Sequence, residues 1–146
     1  MLAILGALAA SVITYQNSLD TLAADRVAPL RQMFQISRDL TRIEVTGSDL
    51  LRDPRNLALA PERMAVALGE IDAMWRQYEI TYLTPEEIVL AARAKQSIVE
   101  MRVSLGRFMT LVQPAPGAEA ALEYTASLRP LIEESRRHLD ALVEQK

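Results

Sequence analysis

The sequence predicts an all-α protein, an antiparallel up-down-up-down four-helix bundle, and three observations carry that prediction. Apolar residues recur at helical spacing through most of the 146 residues, while β-branched residues never fall into strand-like alternation. Two stretches hold an unbroken 4, 3, 4, 3, 4 spacing of apolar positions, the pattern of left-handed bundle packing. Short proline-bearing segments separate the periodic stretches, so the connections are short and successive helices run antiparallel.

The first helix is read over Tyr15–Arg52, interrupted only by Pro29 and Gly47. It would be about 57 Å long at 1.5 Å per residue, and a helix of that length needs partners along its whole side. Leu19, Leu22, Leu30, Met33, Ile36, Leu40, Ile43, Leu50 and Leu51 form its apolar stripe. Pro29 removes one backbone hydrogen bond, so a bend is expected near Val27–Leu30. The loop 53–60 follows, and Pro61 suits the first turn of a second helix over 61–81, whose seam is Met64, Leu68, Ile71, Trp75, Tyr78 and Tyr82. Trp75 and Tyr78 are core residues by this spacing.

A third helix begins at Pro85, where Thr84 is the N-cap and Glu87 the capping-box acid. It runs to residue 112 on the seam Ala94, Ile98, Met101, Leu105, Phe108 and Val112, and stops at Gln113-Pro114-Ala115-Pro116-Gly117. The fourth helix spans 118–146, with Ala121, Tyr124, Leu128, Leu131, Leu139 and Leu142 inward and Pro130 as an interruption.

Composition excludes several functions. A net charge of -3 without a basic tail offers little to a nucleic-acid backbone. No cysteine means no disulfide and no thiolate chemistry, and a single histidine cannot build a zinc or haem site of ordinary spacing, so no metal or cofactor is expected. His138 reads as a helix-surface or bundle-edge residue. No phosphate loop, nucleophile elbow or Glu-x-x-His pair is present, and an enzyme is not expected.

Residues 1–14 are apolar and uncharged through Leu2–Ile13, too short for a complete membrane span and without the basic start of a secretory signal. They read as the remnant of a first transmembrane helix with Met1 as an added start, a signal peptide or buried helix being the alternatives. Residues 15–146 are then the bundle. Its geometry puts both ends at one pole, so the fourth helix, which stops at Lys146 in mid-pattern, is expected to return to the same membrane.

On the first helix Arg31, Gln35, Arg38 and Arg42 fall within about 60° of arc, opposite the apolar stripe. The ribbon is either a solvated face or an anion site, and guanidinium forks suit carboxylates. A small organic acid would fit, above all where a second copy brings its own arginines alongside. Ser37, Thr41, Glu44 and Ser48 form a second polar stripe, either a wet seam between helices or a pocket wall. Tyr124, Thr125 and Ser127 on the fourth helix can face the same cavity as Arg38 and Arg42 if first and fourth helices are neighbours; core packing is the other reading for Tyr124.

Several fragments, in this order, make the chain similar to the periplasmic four-helix-bundle sensor domains of bacterial methyl-accepting chemotaxis receptors. They are Asn17-Ser18-Leu19-Asp20, Asp25-Arg26-Val27-Ala28-Pro29-Leu30, Ile71-Asp72-Ala73-Met74-Trp75 with Tyr78, Leu83-Thr84-Pro85-Glu86-Glu87, and Leu128-Arg129-Pro130-Leu131. The resemblance implies a periplasmic domain held between two helices of the inner membrane. It further implies a homodimer through first helices and a small carboxylate or amino acid bound by arginines there. Arg38 and Arg42 resemble those arginines in location, and Thr125 and Ser127 are looser counterparts of polar groups on the fourth helix. Signalling would be a displacement of the fourth helix, relayed to a histidine kinase. The same bundle on a sensor kinase or cyclase, or a protein-binding bundle without a small ligand, are the alternatives.

Overall fold

A computed structural model describes residues 27–81, 83–113 and 115–145. In chain order the helices are α1 (Ala28–Arg52), α2 (Ala60–Glu79), α3 (Pro85–Leu111), α4 (Ala118–Glu123) and α5 (Arg129–Val143). A 3-10 turn, Pro54–Ala58, joins α1 to α2, and a π-helical turn, Tyr124–Leu128, joins α4 to α5 into one continuous fourth helix. The described chain is a four-helix bundle without strands. The expected membrane remnant, the first turns of the long helix with Leu19 and Leu22, and Tyr82 lie outside the described residues. So does the stretch that would show a bend ahead of Pro29.

The helix starts follow local chemistry. Asp53 accepts a hydrogen bond from the Arg55 N–H at 3.0 Å and opens the 3-10 turn. At α3 the Glu87 N–H donates to Thr84 Oγ1 at 3.2 Å while the Thr84 N–H donates to Glu87 Oε2 at 2.7 Å, a complete capping box.

Contacts between helices establish the antiparallel ring. Arg42 meets Glu70, and further up α1 Gly47 faces the lower-numbered Met64, so α1 and α2 run in opposite directions. Asp72–Arg102 and Glu79–Lys95 ion pairs link α2 to α3. Ser97 lies beside His138 and Ser104 beside Glu123, which joins α3 to the fourth helix. Arg136 and Arg129 reach Glu44 and close the ring onto α1.

The core is built from one face of each helix: Met33, Ile36, Leu40, Ile43 and Leu50 of α1; Met64, Ile71, Trp75 and Tyr78 of α2; Ala94 through Val112 on the predicted α3 seam. Each large aliphatic contributes about 1.5–3 kcal/mol of transfer free energy. The fourth helix departs in part from its predicted register. Its buried positions are Ala120, Tyr124, Leu128, Ile132, Ser135, Leu139 and Leu142, with Ala121 and Leu131 only partly buried. Tyr124, Leu128, Leu139 and Leu142 are buried as predicted, and the π turn accounts for the shift from Leu131 to Ile132: the Arg129 N–H donates five residues back to the Tyr124 carbonyl, which widens the turn by one residue. Pro130, which has no N–H and would crowd the carbonyl four residues before it, follows immediately.

Candidate functional site

Three sides of α1 have different fates. One faces the core. The side toward the fourth helix is closed: Glu44 takes Arg136 Nη2 at 2.9 Å and lies 3.6 Å from Arg129 Nε, and Arg136 also donates to Thr41 Oγ1 at 3.3 Å. The polar stripe through Thr41 and Glu44 is therefore a seam between helices.

The third side faces outward and toward α2. Arg31, Phe34, Arg38, Thr41 and Val45 are exposed there. Phe34 is 63% exposed and Val45 52%. Arg38 is 61% exposed, and its nearest carboxylate contact is a long 3.9 Å to Asp39.

Arg42 corrects the picture of a uniform basic ribbon. Its Nη1 lies 3.1 Å from Asp39 Oδ1 and donates to Glu70 Oε2 of α2 at 2.8 Å, so two carboxylates already hold it. Gln35 is likewise engaged, its Nε2 donating to Asp39 Oδ2 at 3.0 Å. Asp39 is fully buried. Burial raises its pKa above 3.8 and the neighbouring Glu70 carboxylate raises it further, against the lowering effects of Gln35 and Arg42. The Arg42 hydrogen bond holds Glu70 below the usual glutamate range, and Asp39 acts in the same direction. Glu70 was invisible to a reading of α1 alone, because it arrives from the next helix.

Two open cavities lie in the groove between α1 and α2. The larger, about 790 Å³, is lined by Arg38, Thr41, Arg42, Val45, Thr46 and Asp49 from α1, with Leu59, Glu62, Arg63 and Val66 from or just before α2. The other, about 540 Å³, has Arg31, Gln32 and Gln35 opposite Glu70, Met74 and Gln77. The α2 wall was missed by the sequence reading. Its signal was available: Leu59, Arg63, Val66, Glu70, Ala73, Gln77 and Ile80 repeat at 4, 3, 4, 3, 4, 3, a second ridge on the side away from the core.

Tyr124, Thr125 and Ser127 do not join these arginines in one cavity of the subunit. Tyr124 is buried, donates to the Glu44 carbonyl at 2.9 Å, and packs its ring at a tilt of 47° against that of Phe108, centroids 5.6 Å apart. Burial raises its phenol pKa, Glu44 adding to the effect. Thr125 is exposed and donates to the Ala121 carbonyl at 2.8 Å. Ser127 lines a small cavity against α3 with Val103 and Arg107. His138 sits at the bundle edge with Nδ1 3.2 Å from Ser97 Oγ. Among the described residues no group of three acidic or histidine side chains converges as a metal site, and no helix is long and apolar enough to cross a membrane.

The described residues thus form a four-helix bundle with a polar outer groove beside an exposed face of α1. The profile match is specific: the family described as a four helix bundle sensory module for signal transduction covers residues 1–146, and the chain belongs to that family, the sensory module of methyl-accepting chemotaxis protein signalling. No curated protein and no solved structure matches the chain.

Proposed function

We propose that this sensory module is the extracytoplasmic ligand-binding domain of a bacterial inner-membrane chemoreceptor, that it works as a homodimer through α1, and that it binds a small carboxylate-bearing chemoeffector at Arg38, at or near the subunit interface. The observation that carries the reading is the state of Arg38: a guanidinium 61% exposed, without a close carboxylate, in a helix face that is otherwise uncharged between it and Val45 on the outward edge. Its companions on that face support a partner helix. Val27, Arg31, Phe34, Arg38, Thr41 and Val45 repeat at 4, 3, 4, 3, 4, a heptad seam whose residues are all exposed among the described residues. A parallel copy would bring Arg31 and Arg38 near their counterparts, and a carboxylate between them would relieve the repulsion through charge-assisted, bidentate hydrogen bonds. Ligand and dimer are then linked, and the ligand favours one helix arrangement only by its difference in affinity for the two. The apolar run at residues 2–13 and the family's signalling role support a membrane attachment, with output by displacement of the fourth helix.

A thermal-shift panel of carboxylates, amino acids and neutral sugars, paired with sedimentation velocity, tests this directly. Acids alone should raise the melting temperature and the dimer fraction. Arg38→Ala should abolish both responses while changing the stability of the unliganded domain by less than about 0.5 kcal/mol, as expected for an exposed side chain. A folded domain indifferent to every acid would refute the reading.

A further inference from the structure

We infer that the groove between α1 and α2 is a binding site for a monocarboxylate with an apolar body, such as a medium-chain or aromatic acid, with Arg63 of α2 as a second anchor opposite Arg38. The inference rests on the carboxylate-sensing reading above and adds the ligand class and the second wall of the site.

The groove's charges favour a single anion. Of its arginines, Arg42 is held by Asp39 and Glu70, whereas Arg38 comes no closer to a carboxylate than 3.9 Å, at Asp39, with Glu70 acting on it at longer range, and Arg63 makes no ion pair among the described residues. Of its acids, Asp49 lies 3.8 Å from Arg52, which leaves Glu62. Arg38 and Arg63 are thus the two groove guanidiniums without a close carboxylate, and Glu62 is the one groove acid without an ion pair among the described residues, an arrangement that can take one ligand carboxylate and not two. A second carboxylate on the ligand would face Glu62 and the aliphatic wall.

That wall specifies the rest of the ligand. Val45, Leu59 and Val66 are 52%, 51% and 50% exposed, and all three line this one cavity. Single half-exposed aliphatics are ordinary on a protein surface; three converging beside unpaired arginines form an amphipathic cleft. Its volume of about 790 Å³ lies in the range of small-molecule sites. A guanidinium end and an aliphatic floor match a molecule with one charged end and one apolar end.

Calorimetry with a homologous series tests the inference: butyrate, hexanoate and octanoate, with benzoate, succinate and leucine alongside. Affinity should rise roughly fourfold per methylene, the factor expected for a CH₂ group removed from water. Benzoate should bind, and succinate and leucine should bind more weakly than hexanoate. Arg63→Gln should weaken every monocarboxylate at least tenfold. Val66→Asn, at a half-exposed position outside the buried core, should flatten the chain-length slope while preserving the preference for acids. If acids bind with no chain-length dependence, or succinate or leucine binds as tightly as hexanoate, and Arg63→Gln is silent, the groove assignment is overturned and the sensing role stands. If no carboxylate binds the folded protein, both fall.

Discussion

The two flanks of α1 begin from similar material and end differently. Toward the fourth helix, Glu44 and Gly47 are covered: two arginines converge on Glu44, and the Tyr124 ring sits where a side chain at residue 47 would be. Toward α2, Arg38, Thr41 and Val45 border an open groove, and the Arg42–Asp39–Glu70 cluster ties the helices together on their polar side. The comparison teaches that a polar side chain on a long helix becomes structural when a neighbouring helix brings its complement. It stays available for a ligand when the neighbour does not. Arg42 and Arg38, four residues apart, fall on opposite sides of that division.

The sharpest break of the closed flank is Gly47→Val. A Cβ at residue 47 would stand 2.7 Å from Tyr124 Cε2, and the ring cannot retreat without giving up its hydrogen bond to the Glu44 carbonyl and its contact with Phe108. We expect a loss of about 2 kcal/mol from overpacking, read as a lower urea midpoint. Wild-type stability in this variant would mean that Tyr124 is not wedged against α1.

A smaller effect belongs to the arginine clasp. Glu44→Ala should cost about 1 kcal/mol, because it leaves the partly buried Arg136 without its carboxylate. The Glu44/Arg136 double-mutant cycle should return a coupling of similar size. A coupling near zero would reduce the clasp to an ordinary surface pair.

The smallest expected effect probes the α2 flank through pH. Asp39, with its pKa raised by burial, binds its proton more tightly folded than unfolded. Its contribution is therefore present below pH 3.8 and is lost as pH rises through the raised folded value. Glu70 has the opposite sign: its depressed pKa contributes above 4.5 and is lost as pH falls through the folded value. As pH rises from 3.8 through the raised folded value, the melting temperature of the wild type should thus decline relative to Asp39→Asn, which has no proton to lose. A difference curve that is flat across that range would show an ordinary Asp39.

Much of the fold was legible because helical periodicity is local. All six predicted α3 seam residues are buried, and the Thr84–Glu87 box closes the start of α3 as its spacing requires. On the fourth helix Tyr124, Leu128, Leu139 and Leu142 are inward as predicted, Ala120 takes the place of Ala121, and the widened turn before Pro130 moves burial from Leu131 to Ile132. The candidate site was legible only on its α1 side. Arg31, Gln35, Arg38 and Arg42 share one arc, but nothing along α1 reports that Glu70 will hold Arg42 or that Arg63, Leu59 and Val66 will face Arg38.

By itself, then, the sequence determined the helices, their apolar faces, the short connections that make them antiparallel, and the absence of thiol chemistry. These follow from residue spacing and composition within a few turns of chain. The tertiary structure alone decided which arginine is free and which is bound, and where an aliphatic wall stands across from a guanidinium. Those outcomes depend on which side chains two separate helices bring within hydrogen-bond or van der Waals reach, and a distance of about 3 Å between helices has no signature in the periodicity of either one.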